Sequence, residues 1–236
     1  AIVGATAEQI ESAIGLVLAH YIPFRAIRAG HQLSDSKGAS AAISSEVAVL
    51  SMRRAMRGFI GPQDVFRNPQ AIFCLFEPSG EDDVAPFDLE LAVSGDDFAV
   101  IGMHFKLGLY EHQSAGAIQG LLDTLETHPE IMQDPDQLSR VRITIYEPAF
   151  GIIGDPAKRN PKTRQSADHS MVYIIATLLR KAFDTQSTGW RESILMPADY
   201  DKDALQHPRT RAIMEKIEQG DDQVSKRIFR NVRTRR

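Results

Sequence analysis

Apolar residues near the start of the chain recur at helical spacing, with Ile10, Ala13, Ile14, Val17, Leu18 and Tyr21 on one stripe. That is the pattern of an amphipathic helix with one buried face. Thr6 followed by Gln9 makes a capping box at its start, and Pro23 bars it from continuing. Beyond Arg25 and Arg28, the run from Gly30 to Ser40 is small and polar and reads as a loop feeding a second helix, from about 39 to 58. Its first turns are nearly all Ala and Ser, which allows close approach of a ligand or, more simply, of another helix. Lys37 precedes this helix start, where backbone N–H groups and the lysine could hold an anion together. Gly61-Pro62 ends the helix, Asn68-Pro69 opens a short apolar piece through Phe76 that reads as helical, and the acidic, turn-rich stretch from Glu77 to Asp97 predicts a domain boundary.

From Phe98 to Phe105 the chain is apolar with little interruption, as expected of a strand buried on both faces. Gly108 punctuates it, and Ser114 is placed to cap a helix over 115–126 that carries Ile118, Leu121, Leu122 and Leu125 on one face. Lys106 and His112 thus fall on a strand-to-helix turn, a plausible carboxylate site, although a snorkelling lysine and a surface histidine would look the same. Val141, Ile143 and Ile145 alternate with Arg142, Thr144 and Tyr146, predicting a half-buried strand. A basic loop over 154–165 holds Lys158, Arg159, Lys162 and Arg164. It leads into a helix from Ser166 to about Phe183, with Asp168 and His169 in its first turn and Tyr173 one turn on, where a core tyrosine with a satisfied hydroxyl is the plain alternative. Residues 190–218 read as a short strand or loop and then a helical pair broken at Pro208. The last stretch, Lys226 to Arg236, carries six positive charges with little apolar pattern and reads as a solvated tail.

Composition narrows this picture. The chain has 236 residues, 43% apolar and 25% charged, enough for one large or two modest cores. A net charge of -4 argues against a general nucleic-acid binder, and no apolar run approaches the length of a membrane span. The one cysteine, Cys74, leaves no internal disulfide and no thiolate set for a protein-held cluster. The chain begins at Ala1, directly before helical material, so a processed protein or an internal piece of a longer one is expected.

Three segments together, Ser34-Asp-Ser-Lys-Gly-Ala-Ser40, Phe105-Lys-Leu-Gly-Leu-Tyr-Glu-His-Gln-Ser-Ala115 and Ser166-Ala-Asp-His-Ser-Met-Val-Tyr173, resemble the MmgE/PrpD family in order and separation. The Gly-Phe-Ile-Gly-Pro block at 58–62 lies between the first two. The resemblance covers roughly residues 4–217, and the family's activities include 2-methylcitrate dehydration, cis-aconitate decarboxylation and iminodisuccinate epimerisation. It implies a mainly α fold with an α+β insert: residues 1–97 part of an all-helical domain, 98–205 a smaller α+β domain, and 206–236 the start of a return to the helical domain, with a divergent basic tail. A longer N-terminal helical region of the family, which supplies further catalytic groups, has no counterpart here.

The implied activity is that of a hydro-lyase removing water from 2-methylcitrate, as in the eukaryotic type of the dehydratase, in propionate catabolism by the methylcitrate cycle. A cis-aconitate decarboxylase-like reaction or an inactive fragment retaining the fold are the alternatives. Such a site needs a base, an acid and cations for the carboxylates. The resemblance points to Lys37, Lys106, His112 and Tyr173 as catalytic candidates. Arg164, His169 and Asp168 are the substrate-binding candidates. No metal and no cofactor are implied. A small tricarboxylate is the expected partner, with no nucleic acid or membrane, in a homodimer. The expected compartment is the mitochondrial matrix in a eukaryote and the cytoplasm otherwise.

Overall fold

The computed structural model describes residues 2–21, 32–66, 68, 70–71, 99–103 and 105–221, with the backbone alone at 147 and 148. It divides into two compact units, one of residues 1–27 and 38–104, the other of residues 28–37 and 105–236. Among the described residues the fold is mainly helical with a small two-stranded parallel sheet. The expected short helix over 69–76, the boundary over 77–97 and the basic tail lie largely or wholly outside the described residues.

In the first unit, α1 (Ala7–His20) starts at the capping box read from the sequence: Thr6 accepts from the Gln9 N–H while the Gln9 side chain accepts from the Thr6 N–H. Helix α2 (Asp35–Met56) begins four residues before the expected start, so Lys37 lies inside its first turn rather than ahead of it. It ends in a Schellman motif, with Phe59 N–H donating to Arg54 O and Gly58 N–H to Ala55 O, both at 3.0 Å. The chain then lies directly on α1: a Cβ on Gly15 would stand 1.9 Å from the Pro62 carbonyl oxygen. Of α2 only Ser51 and Ala55 are buried, and Ile43, Val49 and Leu50 are exposed.

The second unit is built around one helix. α3 (Ala115–Thr127) is followed by β1 (Val141–Ile145), α4 (Glu147–Ile153), α5 (Met171–Thr185), α6 (Pro208–Glu215) and β2 (Ile217–Asp221). Eleven residues of α5 are buried, from Met171 to Phe183, so it is enclosed nearly all round. α3, α6 and β2 pack against it, and Ile143, Ile145, Ile153 and Ile217 complete the core. β1 shows the expected alternation, with Ile143 and Ile145 inward, and pairs in parallel with β2 from Val141 opposite Ile217 to Ile145 opposite Asp221. Because parallel neighbours need a long crossover, the whole stretch between them, α5 included, is stacked beside the sheet.

Four expectations are corrected. The strand over 98–105 is absent among its described residues. Ala99–Gly102 forms a 3₁₀ turn, and Ile101, Met103 and Phe105 are 69%, 59% and 89% exposed. An apolar run becomes a buried strand only where sheet neighbours cover it, and none of the described residues does so here. Ser114 does not cap α3 with its side chain; its hydroxyl donates to Glu111 O at 2.6 Å, and Glu111 caps the preceding turn. The helix expected from Ser166 is broken: Arg164–Ala167 forms one turn, and a new N-cap at Ser170 starts α5. Residues 217–221, read without a strand, form β2, and with α6 they pack in the second unit.

The turn at 105–114 is seated by Gly108, whose φ is +100° and whose Cβ position lies 2.8 Å from Ile194 Cγ1 and 3.2 Å from Leu195 O. Gly108→Ala combines left-handed strain with a clash, and is expected to cost roughly 1–3 kcal/mol of stability, read as a lower urea midpoint at unchanged m-value.

Candidate functional site

In the second unit three stretches of chain meet at residues 163–170. The segment leading into α2 is stitched to it: Leu33 N–H donates to Ser166 Oγ at 2.6 Å, Thr163 Oγ1 donates to Leu33 O at 2.6 Å, and Gln165 Nε2 donates to Asp35 Oδ1 at 2.7 Å. Gln32 extends the seam, donating to Ala157 O and accepting from Lys162 N–H at 2.7 Å. This docks the first turn of α2, with half-buried Lys37, beside the Ser166 segment. From the other side the 105–114 turn is held by Glu111 N–H on Asp168 O at 2.8 Å and by Leu109 N–H on Leu195 O at 2.9 Å. The Tyr200 hydroxyl donates to Leu109 O. Side-chain and backbone donors thus fix a loop that has no regular ladder of its own.

Each candidate has a definite setting. Lys106 is exposed; its ammonium donates to Tyr110 O and lies 5.5 Å from the Tyr110 ring centroid. The His112 side chain is 76% exposed, with Nδ1 3.0 Å from Glu111 Oε1. Asp168 and His169 stand at the break between two helices rather than in a first turn, with Asp168 Oδ1 bonded to His169 Nδ1 and both side chains mostly buried. Arg164 is exposed at the start of the turn capped by Thr163. His112 also lines a groove of about 710 Å³ between α3 and β1, whose other walls include Leu125, Ile143, Tyr146 and Ile175. Among the described residues no three His, Cys, Asp or Glu side chains are grouped as metal ligands, and no helix is long and apolar enough to cross a membrane.

Tyr173 has a different setting from the others. It is fully buried, and its hydroxyl donates to Asp199 O at 2.7 Å. Asp199 is itself held by Lys181 Nζ at 2.9 Å, Arg180 Nη2 at 3.4 Å and the Met196 N–H at 2.9 Å. A buried carboxylate with this many donors is compensated where it stands. Tyr173 therefore ties α5 to the 196–200 strap, which carries Tyr200 and through it the Leu109 carbonyl.

Sequence reasoning passed over Glu111, Tyr146, Asp199 and Tyr200. Little local marks the last two, because their side-chain partners other than the Met196 N–H lie 18 to 91 residues away. Glu111 stood inside a quoted motif, next to a candidate histidine. Burial first, then the charge of Glu111, pushes the Tyr146 phenol up. Burial likewise pushes Tyr173 up to about 12, and burial with the charges of Asp168 and Asp199 pushes Tyr200 up.

The model of the MmgE/PrpD C-terminal domain matches residues 111–235, more than half of the chain, and the chain belongs to the MmgE/PrpD family. Members of that family are generally lyases and dehydratases. No curated protein matches the chain. His112, Arg164, Asp168, His169 and Tyr173 fall inside the matched span, whereas Lys37 and Lys106 precede it. The match also runs through the basic tail, beyond the resemblance over roughly residues 4–217.

Raised phenol values set a pH dependence. The unfolded chain releases these protons near pH 10, before the folded chain does, so the stability they contribute is complete below that pH; the part due to Tyr173 is lost as pH rises through about 12. Alkaline unfolding followed by circular dichroism is expected to steepen above pH 10, and Tyr173→Phe is expected to flatten that slope while lowering stability at neutral pH by about 1 kcal/mol through the lost hydroxyl bond.

Proposed function

We propose that the protein is a hydro-lyase of the 2-methylcitrate dehydratase type, taking water from 2-methylcitrate to give 2-methyl-cis-aconitate. The observation that carries this reading is the seam at 163–170, onto which both the start of α2 and the 105–114 turn are docked by hydrogen bonds. Family membership supports the reaction class.

Dehydration needs a proton removed next to a carboxylate, a proton given to the departing hydroxyl, and positive charge to hold three carboxylates. In this reading Lys106 and Lys37 supply ammonium groups for the carboxylates, Arg164 clamps one of them in bidentate fashion, and His112 exchanges protons with the substrate. Asp168 holds the His169 ring so that it can donate or accept at its outer nitrogen. Tyr173, a catalytic candidate by the resemblance, takes a positioning role in this reading: its hydroxyl donates to Asp199 O, and it holds the strap that carries Tyr200 to the 105–114 turn.

In the intact protein, Lys106→Ala and His112→Ala are each expected to lower turnover of 2-methylcitrate by about 100-fold or more, read as slower growth of alkene absorbance. Both side chains are exposed, so thermal midpoints should hold to within about 0.5 kcal/mol of stability. Normal turnover in both variants would remove the reading.

A further inference from the structure

We propose that Glu111 is the positioning residue of His112, accepting its Nδ1 proton so that Nε2 is left as the free, proton-accepting nitrogen. The effect on turnover rests on the function proposed above; the tautomer does not. Glu111 Oε1 lies 3.0 Å from His112 Nδ1, and the two side chains differ sharply in exposure: 76% for the histidine and 11% for the carboxylate. An exposed imidazole left to itself rotates and exchanges tautomers in water, but one anchored to a fixed anion does not. The anion is fixed at every other point. Glu111 Oε2 accepts from the Gln113 N–H at 2.8 Å, the Glu111 N–H donates to Asp168 O at 2.8 Å, and the Glu111 carbonyl accepts from Ser114 Oγ at 2.6 Å.

A second carboxylate–imidazole pair stands one hydrogen bond away. Asp168, whose carbonyl receives the Glu111 N–H, holds His169 by a hydrogen bond at Nδ1. Two carboxylate–imidazole pairs on two loops are thus joined through the backbone, each with Nδ1 turned to its carboxylate oxygen. A general base of this kind gains from a carboxylate in two ways: the correct nitrogen is bare, and the imidazolium formed on proton uptake is stabilised.

Glu111→Gln tests the idea with little disturbance. The single amide oxygen can keep the cap on the Gln113 N–H, which turns the amide NH2 toward His112 Nδ1. A donor there requires Nδ1 to be bare and moves the ring proton to Nε2. Long-range proton–nitrogen spectra of the labelled chain, taken where the ring is neutral, are expected to show the Nδ1-protonated form for His112 and the Nε2-protonated form in Glu111→Gln. In the intact protein the same substitution should lower kcat about 10- to 100-fold with KM changed less than about threefold and the thermal midpoint unmoved.

A His112 tautomer identical in the two proteins, or already Nε2-protonated in the parent, overturns the proposal even if His112→Gln abolishes turnover. A tautomer that switches while Glu111→Gln and His112→Gln both turn over normally upholds the positioning role and removes His112 from the reaction. A switch with lowered kcat in both variants supports the two together.

Discussion

The burial of α5 is the constraint on which the second unit depends. A helix apolar on nearly every face cannot rest on the surface, so α3, α6 and the β1–β2 pair must all close around Met171–Phe183. Fully burying one large apolar side chain is worth on the order of 2 kcal/mol, and α5 buries several, among them Ile174, Ile175, Leu178 and Leu179. Several of the polar groups of this unit are attached to that helix or directly precede it. Its N-cap, Ser170, directly follows Asp168 and His169. Its first turn carries Tyr173, and its third carries Arg180 and Lys181, whose charges hold Asp199.

From Asp199 the constraint passes outward to the candidate site. The Asp199 carbonyl receives the Tyr173 hydroxyl, and the following residue, Tyr200, sends its own hydroxyl to Leu109 in the turn that bears Lys106 and His112. That turn has little apolar cover, with Phe105 and Leu107 exposed, so its shape comes from polar links rather than from packing. Each link is a hydrogen bond worth about 1 kcal/mol net, but an unmade one in this half-buried setting costs more. Rigidity at the site is therefore borrowed from the core through a short chain of tyrosines and carbonyls. A family of dehydratases has use for such an arrangement, because proton transfer demands fixed geometry from groups that must stay in contact with solvent or substrate.

The first unit has a different character. α2 buries only Ser51 and Ala55 and exposes Ile43, Val49 and Leu50, so its small, apolar surface is available for further packing. The start of the same helix belongs to the second unit, where Gln32, Leu33 and Asp35 bind the 157–166 segment. Lys37 owes its place to that seam.

Local physics was legible in the chain itself. The Thr6–Gln9 capping box, the one-face pattern of α3 and the alternation of β1 each depend on neighbours within a few residues, and each formed as its spacing requires. α1 formed as well, but the face it buries is Ser12, Ala13, Gly15 and Leu16, with Ile14 and Tyr21 of the expected stripe exposed. The small-residue and charged motifs identified the family for the same reason: they are contiguous. What only the tertiary structure decided involves partners far apart in the chain. Ile217-Glu-Gln-Gly-Asp221 has too little apolar pattern to announce a strand, and it is one because β1 offers a register. The run at 98–105 has that pattern and is not one among its described residues, where Ile101, Met103 and Phe105 are exposed. Tyr173 lay in a recognisable motif, yet the carbonyl that its hydroxyl meets belongs to a strap 26 residues away. Spacing reports which face a residue occupies; only the folded chain supplies what that face meets.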